Sequence, residues 1–136
     1  MFAPLWVYSA VAGAEGPADT SQFRTLTDEL DAADVRLAGS PTALNGLAAL
    51  LANFDARWEA YQADGEDPRH GLKRVRGALK RLPEAERTVI TEWLLGLAVR
   101  VGAARRVFGE AEISELERKA IKDVAGWLGA EPPELA

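Results

Sequence analysis

The chain has no cysteine and a single histidine, His70, among its 136 residues. The first absence excludes disulfides, thiolate nucleophiles and zinc–thiolate centres, and leaves the redox compartment unreadable. The second excludes a multi-histidine metal site within one chain. There is no glycine-rich phosphate-binding loop, because the twelve glycines are dispersed and fall mostly at the ends of helical stretches. No apolar run reaches the roughly 20 residues that a bilayer span needs. No segment alternates at period two for long enough to make a strand. His70 stands beside Gly71 with no serine- or cysteine-based pattern around it, so no nucleophile–base pair can be assembled. These absences read as a non-enzymatic chain with His70 on its surface.

What is present is apolar, helical and unevenly charged. A chain of this length suits a single domain over residues 1–136, burying roughly 68–70% of its extended surface. The net charge is −5, yet residues 66–109 hold ten basic against five acidic side chains, between two acidic stretches. Such a charge run is either compensated inside one fold or turned toward a partner. The N-terminal FAPLWVYSAVAGA is apolar, and Ala10-Val11-Ala12 resembles a cleavage site, but a basic n-region is missing and Pro4 interrupts it. It reads as a core helix of a soluble, cytoplasmic protein.

About six helices follow from periodicity and caps. The first covers about Pro4 to Ala14 and stops at Glu15-Gly16-Pro17. Asp19 caps the second, with Gln22 at the third position and Phe23, Leu26, Leu30 and Ala33 turned inward. Ser40-Pro41 opens a third and long helix to about Ala63, with Leu44, Leu47, Leu51, Phe54, Trp58 and Tyr61 as a continuous seam. Asp67-Pro68 opens a fourth, to about Leu82, with Leu72, Val75, Leu79 and Leu82 inward. The fifth, from Pro83 to Arg105 or Arg106, is apolar over most of its circumference between Trp93 and Ala104 and belongs at the centre of a bundle. The sixth, Glu115 to Leu128, opens on the capping box Ser114-x-x-Glu117 and closes at Gly129. The four tryptophans, at 6, 58, 93 and 127, all take inward positions.

The two ends of the chain match each other. Val11-Ala12-Gly13-Ala14 sets against Val101-Gly102-Ala103-Ala104, Asp19-x-x-Gln22 against Ser114-x-x-Glu117, and Leu26 against Ile121. At these residues the chain resembles the tellurite-resistance TerB-like family, in which a V-A-x-A-D-G pattern is followed by I-S-x-x-E, an apolar residue four later and a closing L-G. The first pattern stands here as Val11-Ala12-Gly13-Ala14-Glu15-Gly16. The second stands as Ile113-Ser114-Glu115-Leu116-Glu117, then Ile121, Val124, Leu128 and Gly129, and Leu82-Pro83-Glu84-Ala85-Glu86-Arg87 is similar to the family's approach to its central helix. The resemblance covers the two end hairpins, roughly half of the chain. It implies an all-α bundle with two pseudo-symmetric hairpins, and a protein-interaction module of a bacterial stress response with an unidentified protein partner.

The family's turn and box acids are associated with divalent-cation binding, which offers Glu15, Glu112 and Glu117 as metal ligands of a cation sensor. Two departures oppose that. The first box holds Gln22, and Arg105-Arg106 fall where the second turn's aspartate would stand, so like charge would repel a dication. No cofactor is expected, a divalent cation being the alternative. The run Glu110, Glu112, Glu115 and Glu117 also suits a helix N-terminus, where the macrodipole favours acids. The remaining candidate is the basic face of the fourth helix. Arg69, Lys73, Arg76 and Lys80 form one stripe, with Arg74 and Arg81 beside it, suited to an acidic protein, an anionic surface or nucleic acid. The net charge and the lack of interleaved aromatics weigh against nucleic acid.

Overall fold

Pro4 sits in the first turn of α1 (Ala3–Ala12), where a missing N–H is tolerated, and Gly13 ends the helix by bonding to the Ser9 carbonyl. The computed structural model describes residues 2–14, 20–104, 106–107, 110–111 and 113–135, the two short pairs by backbone alone. The chain continues as α2 (Thr20–Arg36), α3 (Pro41–Leu51), α4 (Phe54–Asp64), α5 (Pro68–Leu79), α6 (Glu84–Ala104) and α7 (Glu115–Leu128). The all-α bundle expected from periodicity is what is found. Between α6 and α7, Arg106–Val107 (β1) and Glu110–Ala111 (β2) pair antiparallel, with Arg106 opposite Ala111. Two-residue strands are too short for alternation to register in a sequence.

The centre is shared by two helices. α1 is buried nearly all round, from Ala3 through Tyr8 and again at Val11 and Ala12. α6 contributes Trp93, Leu94, Leu97, Ala98, Val101 and Gly102. α1 packs on α5, α6 and α7, and α6 also receives α2 and α7. Each aliphatic side chain buried as completely as Leu5, Leu26, Leu97 or Ile121 contributes about 1.5–3 kcal/mol relative to exposure. The apolar N-terminal stretch is thus a core helix. Among the described residues no helix is long and apolar enough to cross a membrane.

The described residues hold seven helices where about six were expected, because the long third helix is two. Ala52 keeps helical angles, but Asn53 turns to φ −151°, ψ 60° and starts α4. The break rotates the two halves relative to each other. On α3 the inward leucines are Leu47 and Leu50, with Ala43, while Leu51, the expected seam residue, is exposed. α4 buries no residue fully and is held by aromatic contacts instead. Trp58 lies 5.2 Å from Phe23, 6.1 Å from Tyr8 and 5.6 Å from Tyr61 between ring centroids, and Phe2 meets Tyr61 at 5.6 Å. Trp58, on this loosely attached helix, and Trp127, on α7, are only half-buried, whereas Trp6 and Trp93 take the expected core positions.

Local rules set most helix ends. The Ser40 hydroxyl accepts from the Ala43 N–H, and the Asp67 carboxylate accepts from the Arg69 N–H. The Ser114–Glu117 capping box is complete in both directions, and Gly129 takes the left-handed φ of 75° that closes α7. α5 stops at Leu79, short of the expected Leu82, because Arg81 and Leu82 bond three residues back in tighter turns. The expected cap at Asp19 lies outside the described residues.

Candidate functional site: the basic face of α5

α5 has two unlike faces. Gly71, Leu72 and Leu79 are buried, and Gly71 lets α5 lie against α1, since a Cβ there would collide with the Trp6 ring. The opposite face carries the predicted stripe, with Arg69, Lys73, Arg76 and Lys80 all exposed. Beside it Arg74 pairs with Glu66 and stacks its guanidinium 5.5 Å from the centroid of the Trp6 ring. Arg69, Lys73, Arg76, Lys80 and Arg81 reach no carboxylate among the described residues. Like charges at i, i+3 and i, i+4 each cost a helix about 0.2–0.5 kcal/mol. Among the described residues no carboxylate pairs with the stripe to offset that cost.

The structure adds residues that the sequence reading missed. Arg76 lies across the end of α7, close enough that a Cβ on Gly129 would fall 2.7 Å from its Nε. There the guanidinium faces the negative end of the helix dipole. Next to it Arg76 and Lys80 meet Arg87, Thr88, Thr91 and Glu92 of α6 around a groove of about 380 Å³. Three cations and two hydroxyls against one carboxylate make this groove suited to anionic groups. The signal for it in the sequence is Arg87, Thr88 and Thr91, polar residues at i, i+1 and i+4 on a helix that is otherwise largely apolar. His70 is exposed, as expected.

Of the three proposed metal ligands, Glu15 and Glu112 lie outside the described residues, as does Arg105, and the side chains of Arg106 and Glu110 are likewise not described. Glu117 is fully buried and already engaged. Its Oε1 accepts from the Ser114 N–H at 3.1 Å, and its Oε2 accepts from Gln22 Nε2 at 2.8 Å. The same Gln22 amide donates to the Val101 carbonyl at 3.3 Å. Gln22 is the third residue of α2 and Glu117 the third of α7, so the two matched boxes of the sequence meet in the core. An amide donor thus stands against the carboxylate. Among the described residues no group of three or more His, Cys, Asp or Glu side chains is placed to hold a metal ion.

Compared with models of known protein families, with curated proteins and with solved structures, the chain finds no match.

Proposed function

We propose that this chain is a non-enzymatic, TerB-like helical module of a bacterial stress response, and that it works in the cytoplasm by docking an acidic surface of a partner protein onto the exposed face of α5. The observation that carries this is the unpaired stripe. In a chain with 21 acidic and 16 basic side chains, internal compensation was available. Yet Arg69, Lys73, Arg76 and Lys80 stand together without a carboxylate from the described residues. Charge gathered in this way serves encounter and orientation with a complementary surface.

The TerB-like part is supported by the matched positions. Val11 and Val101, and Leu26 and Ile121, are all fully buried, and Gln22 meets Glu117 where the two hairpins approach each other. The same positions weaken the cation-sensor alternative, because Glu117 is turned to Gln22 and Ser114. Nucleic acid and anionic membranes remain as rival anions for α5. Titration with poly-L-glutamate, duplex DNA and phosphatidylserine vesicles separates them. The expected result is salt-sensitive binding to the acidic polypeptide, weakened roughly two- to thirty-fold in Lys73→Ala/Arg76→Ala. Binding to DNA or vesicles alone, or binding that the double variant leaves unchanged, would contradict the reading.

A further inference from the structure

The groove beside Gly129 gathers polar groups that the fold itself leaves unused. Arg76 and Lys80 enter it one turn apart at the end of α5, and Arg87, Thr88 and Thr91 enter it from α6. None of these five side chains has a hydrogen-bond or ion-pair partner among the described residues. Arg87 and Thr91 are half-buried, so the lack of a partner costs them more than it costs the exposed stripe. Among the described residues Glu92 is the one carboxylate in the lining. It is exposed, pairs with none of the cations, and also borders the neighbouring groove of Arg36 and Arg100.

Three cations less one carboxylate leave the groove a charge of +2. A phosphate monoester carries about −1.5 to −2 near pH 7, on three acceptor oxygens. It places that charge on one group, whereas two carboxylates in the same space would repel each other. Guanidinium groups hold phosphate oxygens through paired N–H donors, and the two threonine hydroxyls add donors on the α6 side. The volume of about 380 Å³ falls at the lower end of the range for small-ligand sites, about 300–1,000 Å³. Arg76 and Lys80 belong also to the stripe, in which Lys73 and Arg69 follow at about 4.5 and 10.5 Å from Arg76 along the helix axis. About three extended residues span the longer distance.

We propose that this groove receives a phosphoserine or phosphothreonine of the partner protein, whose flanking acidic residues lie along Lys73 and Arg69. The site rests on the reading of α5 as a docking face for an acidic protein, and gives that partner a modified residue.

The experiment is calorimetric titration of the full chain with one short peptide in three forms: phosphoserine flanked by glutamates, serine in its place, and glutamate in its place. Free phosphoserine and adenosine monophosphate are titrated beside them, and every variant is melted. The phosphopeptide is expected to bind about tenfold tighter than the glutamate form. Arg87→Ala and Thr91→Val should each reduce that preference severalfold, with a smaller loss for the serine form; Arg87→Gln replaces Arg87→Ala should the latter melt early. Lys73→Ala should weaken all three forms alike. Lowering the pH from about 7.5 to about 5.5 should shrink the preference, as phosphate takes up its second proton near pH 6. No histidine lines the groove among the described residues, and His70, exposed on α5, acts on all three peptides alike. Equal affinity for the phosphoserine and glutamate forms, with the serine form still bound, would overturn the phosphate site alone. No binding of any form would overturn the docking face as well. Free phosphoserine or adenosine monophosphate binding as tightly as the phosphopeptide would overturn the assignment to a protein partner.

Discussion

Gly71 shows how much one missing side chain decides. α5 can lie on Trp6 only because no Cβ intervenes, whereas Gly77 on the same helix has open space around it. Gly71→Ala should therefore lose about 1–3 kcal/mol in urea denaturation through overpacking. Gly77→Ala should gain about 0.5–1 kcal/mol by helix propensity. Equal effects would mean that the contact with Trp6 is not what Gly71 provides. Tyr61 offers a pH test at the same scale. Its hydroxyl bonds with Ser9 and donates to the Leu5 carbonyl at 3.2 Å, and burial raises its pKa above the usual 10.0, partly offset by the Ser9 bond. The unfolded chain then ionises first. The stability this group contributes is whole below about pH 10 and is lost as pH rises through the folded pKa. Melting temperature should fall across that window in the parent and fall less in Tyr61→Phe; identical declines would show that the phenol is not the group responsible.

Between elements, the Gln22–Glu117 bond joins α2 to α7 through a buried amide and carboxylate. Gln22→Met keeps the size and removes the donor, and should cost about 1.5–3 kcal/mol, the value of a hydrogen bond to a charged group. In a Glu117→Met background the same change should cost much less, and a double-mutant cycle with no coupling would dismiss the bond as a contributor. α4 is attached differently, through half-buried rings, so Trp58→Ala should raise amide exchange over residues 54–64 ahead of global unfolding. These two junctions also show what was legible in the sequence. Gln22 and Glu117 were matched by pattern, because caps and helix periods are local and leave a local trace. The break at Asn53 was not legible, since Leu44 to Tyr61 kept one period across it and only tertiary packing chose Leu50 over Leu51. Likewise the stripe from Arg69 to Lys80 was readable from spacing. Arg87, Thr88 and Thr91 joined it only when α6 was laid beside α5.

For the molecule as a whole, the distribution of charge matters more than its sum. A chain with a net charge of −5 keeps a cationic face on one helix, with its neighbour α6 extending that face into a groove. Interaction over such a face is screened within roughly 8–10 Å at physiological salt, so it favours a partner that brings its acids into contact. The most direct measurement is affinity capture from the source cells with three baits: the parent, Lys73→Ala/Arg76→Ala and, as a control on α7, Lys122→Ala. All three baits are first shown to melt alike. The expected result is an acidic protein that the parent and the Lys122→Ala control recover, that elutes with salt, and that the α5 double variant loses. A partner retained equally by the double variant, or lost equally by the control, would contradict it.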